Sequence, residues 1–286
     1  MNQILTDNCV QTLRDYINSS LNAIYDTNES RLITNRLFKH FNGWGAADLV
    51  MNKSHRLSES EILRYHFALK RLLKNEPIQY VLGYEYFHGL KMQVDPSVLI
   101  PRPETEELVQ WILDDFNEQS VVSVEDICSG SGCIALALKN KRKNWKVTGF
   151  DVSEKAVETA KANAIINNLE VTFRIDDIFN LMELSAEILV SNPPYIPFED
   201  KDKMKANVLE HEPHIALFVD DNDALLFYRT IIRLGMASNN SKYIFFEIHE
   251  DYKEQLIQLL KDFTLNNYEF KKDLQGKTRF LKLKLR

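Results

Sequence analysis

The chain has 286 residues, with 35 Lys+Arg against 41 Asp+Glu for a formal net charge of −6; it is 44% hydrophobic and 27% charged. That composition suits a globular protein of about two domains at ~150 residues each and excludes disordered, fibrous and collagen-like chains. No stretch approaches about 18 consecutive apolar residues, MNQILTDNCV has no signal-like region, and Cys9, Cys128 and Cys133 make no disulfide scaffold, so no membrane association and a cytoplasmic setting are expected.

Residues 1–76 carry 10 basic and 8 acidic side chains and the rest 25 and 33, so neither part has the basic excess of a duplex-binding domain; direct nucleic-acid binding is not expected. The first 76 residues read as four or five helices. Segments at about 2–19 and 29–41 show helical periodicity, with Gly43 and Gly45 punctuating the second. Ser58 and Glu61 make an S-x-x-E capping box ahead of Ile62, Leu63, Phe67, Leu69, Leu72 and Leu73, which approximate one helical face. Pro77 is expected to stop the last helix. His40, His55 and His66 match no metal-site spacing, so docking of a partner is the expected role of this domain.

Residues 77–101, rich in aromatics with Gly and Pro punctuation, read as a hairpin linker with an extended exit. From 102 onward strand and helix alternate. A helix is predicted at about 103–117, a strand at 121–127, a helix ending near 140, a strand at 145–151 and a helix at 153–167. Strands follow at 171–177 and 186–192, a helix at 223–238, a strand at 243–248 and a helix at 250–262. Two short runs near 266–271 and 278–285 read as closing antiparallel strands, and the basic residues of that tail as their solvated ends. Strands separated by helices imply βαβ units, hence an α/β domain with a mainly parallel sheet covered on both faces.

Two turns carry chemistry. The first is Asp126-Ile127-Cys128-Ser129-Gly130-Ser131-Gly132-Cys133, where glycines let the backbone approach a ligand and the next helix offers unpaired N–H groups. Asp151, 25 residues past Asp126 at the end of the second strand, suits ribose hydroxyls. Ala135 stands where a dinucleotide fingerprint has its third glycine, which tilts the ligand away from NAD.

The second is Ser191-Asn192-Pro193-Pro194-Tyr195, at the carboxyl end of the fourth strand. An amide or exocyclic nitrogen is a poor nucleophile because its lone pair is delocalised. Acceptors on its two N–H groups would orient it and favour charge developing on nitrogen. Asn192 offers a side-chain carbonyl and Pro193 a backbone carbonyl; Tyr195 can cover the flat face of the bound group.

These motifs resemble the class I methyltransferases that use S-adenosylmethionine and act on amide or exocyclic nitrogen. More narrowly they are similar to the peptide chain release factor glutamine N5-methyltransferases, often called HemK or PrmC. The narrower resemblance rests on Pro77-Ile78-Gln79-Tyr80, Gly83 through Gly89 with Phe87, Ile100-Pro101-Arg102-Pro103-Glu104-Thr105, the Gly130/Gly132 turn, Asn192 to Tyr195, Glu212-Pro213 and Glu247. It implies a Rossmann-like, mainly parallel seven-stranded sheet with antiparallel C-terminal strands, over 102–286. It also implies S-adenosylmethionine as cofactor, S-adenosylhomocysteine as product, no metal, and a monomer. The substrate implied is the glutamine of the Gly-Gly-Gln loop in class 1 release factors. By the same resemblance Cys128, Ser129, Gly130, Ser131 and Gly132 line the methionine part of the cofactor; Cys128 stands where that family usually has its first glycine, so either its backbone is ordinary or the turn is adjusted. Asp151 binds ribose, Asp177 and Ile178 flank adenine, and Asn192 completes the pocket. Asn192, Pro193, Pro194 and Tyr195 grip the substrate amide, with Phe87 and Arg102 among the substrate-binding residues. Rival readings are an adenine N6 or guanine N2 methyltransferase, a non-catalytic adaptor, and an NAD dehydrogenase.

Overall fold

The computed structural model describes residues 7–220 and 222–286. They form two compact units: the residues before Tyr84 together with Lys205–His211, and Tyr84–Met204 together with Glu212–Arg286.

The first unit contains α1 (Val10–Leu21), α2 (Thr27–Asn42), α3 (Ala46–Met51), α4 (Glu59–Leu72) and α5 (Ile78–Leu82). The helix expected from residue 2 begins at Val10, and the part of that expectation before residue 7 lies outside the described residues. Ser58 caps α4 as its spacing requires: its hydroxyl accepts from the Glu61 N–H while the Glu61 carboxylate accepts from the Ser58 N–H at 2.8 Å. The buried stripe of α4 differs from the expected one. It is Tyr65, Ala68, Leu69 and Leu72, whereas Leu63 and Phe67 are 51% and 57% exposed. Tyr65 takes the inward position because its ring packs 4.7 Å from Phe38 while its hydroxyl donates to Asn42. The helix after Pro77 was not foreseen. Arg71 donates to the carbonyls of Tyr80 and Val81, which carries the helical unit past residue 76 to Gly83.

The second unit opens with an antiparallel hairpin, β1 (Tyr84–Phe87) and β2 (Leu90–Gln93). Then come α6 (Pro103–Asp115), β3 (Ser123–Ile127), α7 (Cys133–Lys141), β4 (Lys146–Asp151), α8 (Glu154–Ile166), β5 (Thr172–Ile175) and β6 (Ile188–Ser191). Between residues 196 and 219, where no periodic signal is present, lie two short paired strands, β7 (Ile196–Pro197) and β8 (Phe218–Val219). Between these two lies α9 (Ala206–Leu209), in the segment that joins the helical unit; there the His211 ring meets the Lys74 carbonyl at 2.9 Å. The chain closes with α10 (Leu226–Ala237), β9 (Tyr243–Glu247), α11 (Lys253–Asp262), β10 (Tyr268–Lys272) and β11 (Thr278–Lys284).

The sheet has seven strands in the order β10-β11-β9-β6-β3-β4-β5; β3, β4, β5, β6 and β9 run parallel and the last two antiparallel. Each face has its own core. Trp111, Trp145, Phe173 and Phe245 lie in one, and Tyr228, Phe246 and Leu256 in the other. Part of the basic tail is ion-paired: Lys277 and Arg279 meet Glu250, Arg279 also meets Asp273, and Lys282 meets Asp115. After β5 the chain returns to the other side of β3, so the carboxyl ends of β3 and β6 open a crevice at a topological switch point.

Candidate active site

Ser191 at the end of β6 stands beside Ile127 at the end of β3, and its hydroxyl donates to the Ile127 carbonyl at 2.7 Å. That bond brings the two motif turns to one edge of the sheet. Beside them lies a cavity of about 270 Å³ whose wall includes Cys128, Gly130, Asp151, Asp177, Ile178 and Asn192. Pro194 joins that wall. Ser129, Ser131 and Gly132 build the turn itself and are buried, as is Pro193. Two other expected residues do not line that cavity: Phe87 is in the core at 1% exposure, and Arg102 is ion-paired to the buried Glu212, whose other oxygen accepts from the Ile100 N–H; the Arg102 charge is felt at Tyr195.

The turn after β3 is tight. Cys128, Gly130 and Gly132 all have positive φ, at 60°, 52° and 78°. A Cβ on Gly132 would stand 2.7 Å from Phe173 Cζ, whereas the same position on Gly130 meets nothing within 4 Å. Cys128 therefore holds the left-handed backbone with a side chain attached, a strain of roughly 1–2 kcal/mol. Ser129 N–H donates to the Phe150 carbonyl at 3.0 Å, and Gly132 N–H to the Ser129 carbonyl at 2.8 Å. Asn163, buried on α8, donates to the Ser131 carbonyl at 3.0 Å and exchanges hydrogen bonds with the Gln93 backbone, tying the turn to the hairpin.

Electrostatics separates three groups here. Asp151 accepts from the N–H groups of Gly130 and Ser153, both at 2.9 Å, and burial raises its pKa against those bonds. Asp126 is fully buried; one oxygen accepts from the Ala135 N–H at 3.1 Å and the other has no partner among the described residues. Burial pushes its carboxyl up to about 8. Burial, reinforced by the charges of Asp151 and Asp126, raises the Cys128 thiol well above its ordinary value, which removes it as a nucleophile. Phe179 and Phe227, with ring centroids 4.9 Å apart, give the cavity flat apolar walls. Among the described residues no group of three His, Cys, Asp or Glu side chains is placed to hold a metal.

At the second turn the Asn192 amide N–H donates to Thr105 Oγ1 at 3.3 Å, and its carbonyl oxygen is buried with no partner among the described residues. Thr105 Oγ1 donates to Glu247 Oε2 at 2.7 Å, and the Tyr195 hydroxyl donates to Glu247 Oε1 at 3.2 Å. Burial raises the Tyr195 pKa far above the usual phenol, so its hydroxyl is no base at neutral pH. Burial raises Glu247 too, opposed by the hydrogen bonds from Thr105 and Tyr195 and by the Arg279 charge.

Sequence reasoning missed Asn163, Phe179 and Phe227, because no spacing marks a lone helix asparagine or loop phenylalanines. Thr105 was quoted only within a longer stretch and Glu247 only among the residues of the resemblance, neither with a role. Asn192 lies next to Glu247 because β6 pairs with β9, Ser191 opposite Phe246.

Residues 105–215 match the family described as methyltransferase small domain, and residues 12–83 that described as PrmC N-terminal domain. A release factor glutamine methyltransferase of Flavobacterium psychrophilum is 37% identical over 283 residues, 97% of this chain and 99% of its own. One of Bacteroides thetaiotaomicron is 39% identical over 271 residues, 93% and 96% of the two chains. Among solved structures, the human METTL16 catalytic domain in complex with MAT2A 3'UTR hairpin 1 gives a TM-score of 0.58 at 16% identity, covering 94% of this chain and 91% of that one. The N-terminal domain of human METTL16 in complex with SAH gives 0.52 at 16% identity, covering 94% of each. At such identities the likeness is one of fold.

Proposed function

This chain belongs to the release factor glutamine methyltransferase family, and from that premise we propose that its Asn192 turn presents a glutamine amide for methylation. The enzyme transfers the methyl group of S-adenosylmethionine to the side-chain amide nitrogen of the glutamine in the Gly-Gly-Gln loop of class 1 release factors. The single observation that carries the site is the buried carbonyl oxygen of Asn192, a residue that lines the switch-point cavity; that oxygen has no partner among the described residues. A buried acceptor without a partner costs about 1–3 kcal/mol, an arrangement that makes sense where a substrate donor completes it.

The donor set suits S-adenosylmethionine. Asp151 has a carboxylate for ribose hydroxyls, Ile178 and the Phe179–Phe227 pair suit the adenine ring, Asp177 stands beside them, and the open side of Gly130 leaves room for the methionine part. When bound, this cofactor supplies a methyl carbon already activated by its sulfonium. The residues of the chain then have one task, to hold the nucleophile. Asn192 Oδ1 and the Pro193 carbonyl each accept one N–H of the amide, which fixes its plane and favours positive charge on nitrogen as it attacks. The prolines keep the loop rigid and add no competing N–H. Tyr195, tethered to Glu247, is a wall of the turn and takes no proton, so the one released from nitrogen goes to water. The helical unit docks a second surface of the release factor, contributing binding energy far from the reacting atom. The enzyme works as a cytoplasmic monomer without metal.

Transfer to adenine N6 or guanine N2 is not favoured, because relatives matching nearly the whole chain are release factor glutamine methyltransferases and neither sequence half is strongly basic. The test is mass spectrometry of a release factor incubated with this protein and labelled S-adenosylmethionine. One methyl gained on the Gly-Gly-Gln glutamine is expected; label appearing only in nucleic acid, or nowhere, overturns the proposal.

A further inference from the structure

We infer that Thr105 and Glu247 are positioning residues that fix which end of the Asn192 amide faces the substrate. The inference rests on the reading of Asn192 just given. An asparagine side chain can rotate by half a turn, exchanging its oxygen for its NH2 with little change of shape. One orientation offers the target amide an acceptor; the other sets two donors against its N–H groups and repels it. Something must choose, and the chain of hydrogen bonds around Asn192 does.

Ionised, Glu247 only accepts, and it is 2% exposed. The hydroxyl 2.7 Å from its Oε2 must therefore spend its single proton on it, and that hydroxyl belongs to Thr105, also 2% exposed. Thr105 Oγ1 then has only lone pairs left for Asn192, 3.3 Å away, so Asn192 must turn its NH2 toward Thr105. Its oxygen is left facing the other way, without a partner among the described residues. The Tyr195 hydroxyl occupies the second oxygen of Glu247 and keeps that carboxylate from rotating. The placement is built into the fold: Asn192 follows β6, Glu247 ends the neighbouring β9, and Thr105 lies in the first turn of α6.

Isosteric variants test this by single turnover at saturating cofactor, with release factor affinity measured on the S-adenosylhomocysteine-loaded enzyme by calorimetry. Thr105→Val keeps shape and removes the hydroxyl. It should lower the rate about tenfold, equivalent to ~1.4 kcal/mol, while cofactor affinity stays within about threefold. Thr105→Ser, which restores the hydroxyl, should recover the rate to within about threefold. Glu247→Gln should also slow turnover, because an amide at that position can donate to Thr105 and release its proton toward Asn192. The decisive measurement is the double variant. If Thr105 acts through Asn192, then Thr105→Val combined with Asn192→Ala should be no slower than Asn192→Ala alone. Losses that multiply, or a Thr105→Val enzyme as fast as the parent, overturn the inference. Should Thr105→Val fail to fold, Glu247→Gln in the two backgrounds is read by the same rule. A normal rate in Asn192→Ala alone instead sinks the underlying reading of Asn192.

Discussion

Asp126 offers a prediction whose sign and size both come from its surroundings. It is fully buried, accepts one backbone N–H, leaves its other oxygen unpartnered, and lies near the negative Asp151. Its carboxyl is pushed from 3.8 up to about 8. A folded pKa above the unfolded one means the folded chain keeps a proton that the unfolded chain releases. The associated stability is fully present below 3.8 and drains away as pH rises toward about 8. Inside that window the slope approaches 1.36 kcal/mol per pH unit, so roughly 2–3 kcal/mol should be lost between about pH 5.5 and 7.5. Asp126→Asn is neutral in both states and keeps a carbonyl for the Ala135 N–H. It carries a pH-independent cost of about 1–3 kcal/mol for its unpartnered NH2. The informative quantity is therefore the difference between variant and parent as pH changes. Denaturant titrations followed by tryptophan fluorescence would measure it, since Trp111 and Trp145 lie in the core of the same unit. The variant should gain on the parent by about 2–3 kcal/mol across that range. Parallel pH profiles would refute the account of a proton held by burial.

Other consequences follow from the same site. Asp151→Ala should weaken S-adenosylmethionine binding by about 1–3 kcal/mol. Because burial raises Asp151, affinity of the parent should fall with acidification at a higher pH than an ordinary carboxylate would give, and calorimetry of Asp151→Asn should lack that limb. Asn192→Ala should cost on the order of 10²–10³ in single-turnover rate with cofactor affinity changed less than about tenfold; near-normal turnover contradicts the mechanism. Gly132→Ala forces a Cβ against Phe173 at positive φ and should destabilise the α/β unit by about 2–4 kcal/mol in thermal or chemical denaturation. Cys128→Gly removes left-handed strain at the cost of a more flexible unfolded chain, so a gain of about 0.5–1 kcal/mol is expected, and a loss would show that the thiol packs favourably.

The sequence by itself determined the alternating strands and helices of the sheet domain and the order of the chemistry, but not α5 or the short elements between residues 196 and 219. Alternation of apolar runs with helical periodicity yields the parallel sheet because each strand end is written locally, in Asp126 to Gly132, Asp151 and Asn192 to Tyr195. Capping at Ser58 was equally local, since both partners lie within one turn. Tertiary structure decided what depends on contacts far apart in sequence. Leu63 and Phe67 look as apolar as Leu69, and only packing against α2 put Tyr65 and Ala68 inward instead. Phe87 and Arg102, quoted for their motifs, went to a core position and an ion pair with Glu212, 110 residues away. The orientation of Asn192 was invisible for the same reason. It is set by Thr105, 87 residues before it, and by Glu247 on a neighbouring strand; the pairing of β6 with β9 brings Asn192 and Glu247 together, and the start of α6 adds Thr105 through its hydrogen bonds to both.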